Sequence, residues 1–200
     1  EHDNFFPEYY VIPVEDKLQK NSLEAYRMVE YLLRNGIKVE VSEEKVKVNG
    51  VTYPAGSYIV PMHQAKRGLA NTVLYEGIDL SDWDAMYAEV VQNFPALRGF
   101  DRKAIREENV FENKTKELTY KEFSIPNTKL PDGKNIVIHS TNNDAIRVVN
   151  KLLYSGKNVE MITENSKDYS KGDFVVSKED LSSIISDYYL EVSTYDNEGR

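Results

Sequence analysis

The sequence predicts an α/β fold in which a mainly parallel sheet is flanked by helices. Three observations support this prediction: short β-branched strands alternate with amphipathic helices, the pattern occurs twice, and one copy carries a strong hairpin signal. Each copy reads strand, helix, strand, strand, helix. Because strands that are joined by helices usually pair in parallel, we expect helices on both faces and the hairpin as a peripheral antiparallel addition.

The first copy begins with a buried strand in "EYYVIPV" (residues 8–14) and continues into a helix. Asn21 is placed to cap this helix, and Glu24 completes a capping box. The apolar residues that share one helix face are Ala25, Met28, Val29, Leu32 and Leu33. Gly36 is predicted to end the helix in the left-handed conformation.

The second copy follows 120 positions later, where "DAIRVVNKLLYSGKNVEM" aligns without a gap with "EAYRMVEYLLRNGIKVEV". Gly156 then takes the place of Gly36. The match extends to strands, since "NIVIHS" (135–140) corresponds to "YYVIPV" and "GDFVVS" (172–177) corresponds to "GSYIVP" (56–61). The later helices are predicted after Met62 and at Ser177, where Asp180 completes a second capping box.

The rest of the chain supplies a hairpin and a linker. In "KVKVNGVTY" (45–53), valines alternate around Asn49-Gly50, which predicts a tight turn. One helix is expected at residues 82–92 and one strand at residues 117–123. Because prolines 126 and 131 mark the linker, the predicted domains are residues 1–125 and 126–200. Alternatively, both units share one sheet.

Composition restricts the partners of the chain. The formal charge of -8 and the pI near 5.0 argue against nucleic acid and anionic membranes, because both require a concentrated basic surface. No apolar run approaches the length of a membrane span. Cysteine is absent, so the sequence offers no disulfide, thiolate metal site or cysteine nucleophile. The opening "EHDNFFPEYY" lacks a methionine, and we expect a processed piece of a longer protein.

The common catalytic motifs are missing from the sequence. It contains no glycine-rich phosphate loop and no Gly-x-Ser-x-Gly nucleophile elbow, so neither a nucleotide cofactor nor a hydrolase triad is predicted. The histidines are His2, His63 and His139, and none has the spacing of a zinc-binding motif. We therefore assign no catalytic or metal-binding residue in this chain.

One group of residues is a candidate ligand site. His63 and His139 each follow a strand, near the sheet edge where α/β proteins place ligands. In "HQAKRGLAN" (63–71), Gln64, Lys66 and Arg67 could bind an anion at the start of a helix. In the alternative interpretation, the histidines cap strand ends and the first turn of the helix is simply solvated.

A further pattern lies within residues 8–102. It consists of a strand ending in proline, a Leu-Leu helix ending in Asn-Gly, a Pro-x-Gly-x-Tyr-x-Val-Pro strand, a glutamine-led helix and an Asp-Trp segment. The residues concerned are Pro13, Leu32, Leu33, Asn35, Gly36, Pro54, Gly56, Tyr58, Val60, Pro61, Gln64, Asp82 and Trp83. This region resembles the part that follows the catalytic domain in large bacterial zinc carboxypeptidases of the carboxypeptidase A-like metallopeptidase family.

The resemblance implies a class I glutamine amidotransferase-like α/β domain, here without the cysteine nucleophile of true amidotransferases. It also implies a secreted or cell-surface parent protein whose catalytic domain holds the zinc and is the intramolecular partner of this chain. None of the family's zinc ligands and no catalytic base has a counterpart in the sequence. The resemblance therefore implies an accessory domain of a metallocarboxypeptidase. The alternative is a binding module for a peptide or a cell-wall sugar that uses His63, Gln64, Lys66, Arg67 and His139.

Overall fold

The structure is a computed structural model that describes residues 5–15, 17–77 and 93–196. The chain divides into two compact units, Glu1–Ser124 and Ile125–Arg200. Each unit has its own sheet, of five strands in the first and four in the second. The helix predicted at residues 82–92 lies outside the described residues.

Both units contain the element order that the repeat predicts, with additional elements in each. The first unit contains β1 (Tyr9–Ile12), α1 (Ser22–Arg34), β2 (Val39–Ser42), β3 (Val46–Val48), β4 (Val51–Tyr53), β5 (Tyr58–Pro61), α2 (Arg67–Leu74), α3 (Phe94–Arg98), β6 (Lys103–Ile105) and β7 (Thr115–Leu118). The second contains β8 (Asn135–Ile138), α4 (Asn143–Tyr154), β9 (Val159–Met161), β10 (Phe174–Ser177), α5 (Lys178–Ser182), a 3-10 helix (Ile185–Asp187) and β11 (Val192–Thr194). By the sequence repeat β8, β9 and β10 correspond to β1, β2 and β5, and β11 takes the place of β6 beside the first strand.

The prediction of a mainly parallel sheet is wrong, because neighbouring strands in the described sheets pair antiparallel. The strand orders are β6-β1-β5-β2-β7 and β11-β8-β10-β9. The two strands that α1 joins, β1 and β2, do run in the same direction, but β5 lies between them and runs against both. In the second unit β10 separates β8 from β9 in the same way. This is a split β-α-β arrangement, in which the parallel strands are not neighbours.

The predicted cap and stop of α1 and the predicted stop of α4 are confirmed. The capping box at Glu24 is not, because the Asn21 amide donates to the Gln19 side chain instead. The Asn21 side chain accepts a hydrogen bond from the Glu24 amide at 3.1 Å, and Gly36 follows the helix with φ 71°. The Asn142 side chain accepts from two amides in the first turn of α4, and Gly156 has φ 70°. The same local chemistry therefore starts and stops both helices.

The first sheet is covered on both faces. Helices α1 and α2 cover one face, where Leu32, Val39, Val60 and Leu74 are fully buried. The β3-β4 hairpin turns at Asn49 and Gly50, which have φ values of 49° and 79°, as a two-residue hairpin turn requires. It buries the opposite face in a cluster formed by Val11, Val46, Val48, Tyr53, Ile59, Ile105 and Phe111. We predicted helices on both faces; a hairpin covers the second face instead.

The second sheet is covered differently. Helices α4 and α5 pack on one face in a cluster that includes Ile136, Ile138, Val148, Leu152, Val176 and Leu181. The described part of this unit has no hairpin to cover the opposite face, which carries Val175 and Glu160. A cleft of about 900 Å³ lies here, and Glu160, Val175, Ser193 and Tyr195 are among its lining residues.

Candidate functional site

The four predicted ligand residues of the first unit lie between β5 and the first turn of α2. The His63 Nε2 atom is 2.6 Å from a carboxylate oxygen of Glu8, at an exposed position. The Gln64 side chain accepts from the Lys38 amide at 2.8 Å and donates to the carbonyl of Pro61 at 2.6 Å. Gln64 therefore joins the end of β5 to the segment that leads into β2.

Lys66 and Arg67 also have partners inside the unit. The Lys66 ammonium donates to the carbonyl of Asn35 at 2.5 Å, at the C-terminal end of α1, where a cation is favourable. The Arg67 guanidinium lies 5.1 Å from the centre of the Phe6 ring, within range of a cation–π interaction. These contacts give both residues a role in packing α2, and their assignment as anion ligands stays a prediction.

The fifth predicted residue, His139, belongs to the second unit and directly follows β8. Its Nδ1 atom is 2.9 Å from a carboxylate oxygen of Asp173, and its Nε2 atom is 3.0 Å from the Ser193 hydroxyl. Asp173 precedes β10, and Ser193 lies in β11. We call these three residues the polar corner, because their side chains tie three strands together.

Asp173 is the buried centre of the polar corner, with 2% of its surface exposed. Its carboxylate accepts from the amides of Ser140 and Ser170, both at 3.0 Å, in addition to His139. Burial opposes ionisation of the carboxyl group, but the two amides and His139 outweigh it and lower the pKa of Asp173 below its ordinary value of 3.8. The carboxylate is therefore held in its charged form.

Sequence reasoning missed Asp173 and Ser193, although the repeat contains a signal for them. The strand registers align His139 with Pro13 and Ser193 with Lys103. The alignment of "GDFVVS" with "GSYIVP" places Asp173 where the first unit has a serine. The second unit thus differs from the first at three positions whose side chains meet, and such a clustered difference could have been looked for.

The hydrogen-bonded chain Asp173–His139–Ser193 has the arrangement of a catalytic Asp-His-Ser triad. Whether it could act as one depends on the backbone donors near Ser193. The His139 amide donates to the Glu191 carbonyl, and the Tyr195 amide donates to the Asn135 carbonyl. By the alternation of an antiparallel ladder, the amide of Ser193 between them faces β8 and does not point into the cleft as an oxyanion donor. The polar corner is therefore best interpreted as a structural clip.

A second feature of this unit is the outer edge of β9, the last strand of its sheet. Within the described residues no strand pairs with this edge. The Ile162 amide donates to the Asp173 carbonyl at 2.8 Å, which fixes the residues whose backbone faces β10. The alternation of the ladder then directs the N–H and C=O groups of Val159 and Met161 outward.

In the first unit the equivalent edge, that of β2, is occupied. β7 pairs with it antiparallel, with Val39 opposite Leu118 and Val41 opposite Lys116. The repeat aligns Val39 with Val159, and Val41 with Met161. β7 therefore uses the same backbone positions of the repeat that β9 leaves unpaired among the described residues.

Apolar side chains near the two edges differ in exposure: they are buried in the first unit and exposed in the second. Ile146, Leu153 and Met161 are 43%, 53% and 58% exposed, and we call these three residues the apolar strip. Their counterparts on α1, Tyr26 and Leu33, are each 8% exposed. Leu118 and Phe123, which come from β7 and the turn after it, pack with Tyr58 against the cluster that contains Leu33. The strand that closes the first edge also covers its apolar neighbours.

Two kinds of site are not formed by the described residues. They hold no group of three or more His, Cys, Asp or Glu side chains arranged to bind a metal ion. None of the helices in the described part of the chain has the length and apolar character needed to span a bilayer.

Comparisons with known proteins give no relative. No protein-family model, no curated protein and no solved structure matches the chain.

Proposed function

We propose that this chain is a binding module that receives an extended peptide as an additional strand on the outer edge of β9. One observation carries the proposal: the repeated unit holds a strand, β7, on this edge in its first copy, whereas the described part of the second copy leaves the edge unpaired. Strand addition of this kind takes its affinity from backbone hydrogen bonds and its specificity from side chains.

The edge favours a peptide over a cell-wall sugar as the ligand. Its outward N–H and C=O groups are spaced to pair with the backbone of another strand, and the apolar strip lies beside it. With the resemblance to the non-catalytic region of zinc carboxypeptidases, we propose that the module holds polypeptide beside the catalytic domain of a secreted or cell-surface peptidase. The zinc would belong to that domain.

The test is a substitution that removes one outward donor of β9. Met161→Pro deletes an N–H that faces away from β10, and a proline at such an edge position leaves the sheet intact. The probe is a labelled peptide with the sequence of residues 115–123, "TKELTYKEF", which contains β7 and the turn after it. We expect the unaltered chain to bind it and Met161→Pro to bind at least about fivefold more weakly, by fluorescence anisotropy.

Methylated peptides provide a matched control. In β7 the backbone groups of Lys116 and Leu118 face β2, while those of Glu117 face away. N-methylation of the peptide at its leucine should therefore prevent binding, and N-methylation at the following threonine or at the preceding glutamate should not. Equal binding of all methylated forms, or equal affinity for Met161→Pro and the unaltered chain, would exclude strand addition at β9.

A further inference from the structure

We infer that the peptide received by β9 runs antiparallel to it and carries an apolar residue followed, two positions later, by a cation. This inference rests on the proposed function and specifies the ligand of the same edge. It is derived from the first unit, where β7 and its turn occupy the equivalent edge and show which side chain of a bound strand meets each position of the repeat.

The apolar residue follows from the position of Leu118. This residue lies opposite Val39 and packs against the cluster that contains Leu33. The corresponding pair in the second unit is Val159 and Leu153, and Leu153 is 53% exposed. A leucine or another large apolar residue opposite Val159 would cover the apolar strip as Leu118 covers its counterpart.

The cation is inferred from the contact made by Tyr120, two residues after Leu118. In the first unit the Arg34 guanidinium lies 5.8 Å from the centre of the Tyr120 ring and donates to its hydroxyl at 3.4 Å. α4 has Tyr154 in place of Arg34, and this tyrosine is 95% exposed. The aromatic member of the pair is therefore already on the helix, so the bound strand must supply the arginine or lysine.

A carboxylate on the other face of β9 also favours a hydroxyl or a cation in the bound peptide. Glu40 accepts a hydrogen bond at 2.5 Å from the hydroxyl of Thr115, three residues before Leu118. The repeat aligns Glu40 with Glu160, the middle residue of β9, whose side chain is exposed. Lys157, the nearest cation along the chain, is 2.7 Å from a carboxylate oxygen of Asp180. A hydroxyl or a cation three positions before the apolar residue would therefore meet a carboxylate.

The experiment compares four peptides on the full chain: "TKELTYKEF", its Tyr→Arg form "TKELTRKEF", its Tyr→Glu form, and "TKESTRKEF" with the leucine replaced. For the unaltered chain we expect the arginine form to bind about threefold more tightly than the tyrosine form, with the glutamate form weakest. Loss of the leucine should weaken binding at least about tenfold.

A single exchange on the protein should reverse the preference. Tyr154→Arg recreates the first unit's arrangement at a position that is 95% exposed, so folding is unaffected. This variant should prefer the tyrosine peptide to the arginine peptide. If Tyr154→Arg keeps the original order, or if the four peptides bind equally while Met161→Pro still weakens binding, the inferred pattern is wrong and strand addition survives.

The remaining outcomes separate the two proposals. If no peptide binds, the proposed function itself fails. If the chain dimerises in sedimentation experiments, and if Met161→Pro abolishes the dimer while peptides do not compete, then the occupant of the edge is a second copy and the peptide pattern is overturned.

Discussion

The two units have the same framework but different outer surfaces. In both units a further strand, β5 or β10, lies between the two strands that the long helix joins. In both, an asparagine caps the start of that helix and a glycine ends it. The first unit then adds a hairpin over its second face and β7 on its edge. The described part of the second unit has neither addition. The difference teaches that the repeat determines the fold, whereas the additions determine which surfaces are left for a partner.

The units also differ where the end of β1 or β8 meets the start of its neighbour β5 or β10. The first has Pro13 and Ser57 there, and the second has His139 and the buried Asp173. Ser57 donates one hydrogen bond, to the Pro54 carbonyl at 2.8 Å. The corner of the second unit thus depends on a charged group, and that of the first does not.

The largest effect is expected from removing that charged group. Asp173→Ala leaves the amides of Ser140 and Ser170 without their acceptor and His139 without its carboxylate, so it should lower the free energy of unfolding of the second unit by about 3 kcal/mol. The measurement is urea unfolding followed by amide NMR signals of β8.

The matched variant is Ser57→Ala, which removes one hydrogen bond and should cost the first unit about 1 kcal/mol, followed by signals of β1. Equal losses for the two variants would mean that the polar corner contributes no more than a neutral turn, and would contradict its interpretation as a clip.

A smaller effect should distinguish the closed edge from the open one. Leu33→Ala removes a side chain that is 8% exposed and should lower the free energy of unfolding of the first unit by about 2 kcal/mol. Leu153→Ala removes the equivalent side chain at 53% exposure and should change the second unit by less than about 0.5 kcal/mol. Urea unfolding with the same two sets of NMR signals measures both.

The peptide adds a control to this pair of substitutions. If the strip is a docking surface, Leu153→Ala should weaken binding of "TKELTRKEF" although it barely alters stability. A large loss of stability in Leu153→Ala without peptide would show that the strip is already covered in solution.

The features that could be predicted from the sequence are local ones. The Asn21 and Ser177 caps, the stop glycines and the hairpin turn at Asn49-Gly50 all follow from neighbouring residues, and each is confirmed. Strand order depends instead on contacts between distant segments. Alternation of strands and helices favours parallel neighbours, and no local signal shows that β5 inserts between β1 and β2. The short strand β6 was missed for the same reason. Helix α3 was missed although its local signals are present: the Asn93 cap, Pro95 in its first turn and Gly99 at its end.

The candidate site divides in the same way. His139 could be selected as a strand-end histidine, but its partners Asp173 and Ser193 are 34 and 54 positions away in the sequence. The open edge of β9 could not be predicted at all, because an edge exists only once the order of the strands is known. Once the structure is known, the internal repeat provides the comparison that reveals this edge, since Leu33 and Leu153 are equivalent leucines that are buried in one unit and exposed in the other.

The smallest expected effect is the response of the polar corner to acid. Because the pKa of Asp173 is lower in the folded state than its ordinary value of 3.8, its stabilisation is fully present above that value and is lost as the pH falls through the lower one. The difference in urea midpoint between the unaltered second unit and Asp173→Asn should therefore be constant from pH 6 to about pH 4.5 and shrink toward pH 3. Protonation weakens the carboxylate's hydrogen bonds without removing the side chain, so the loss should be smaller than in Asp173→Ala. A constant difference down to pH 3 would mean that the pKa of the carboxyl is the same in the folded and unfolded states, and a difference that grows would reverse the sign of the pKa shift. The carbon chemical shift of the Asp173 carboxyl, followed over the same pH range, gives the folded pKa directly and decides between these outcomes.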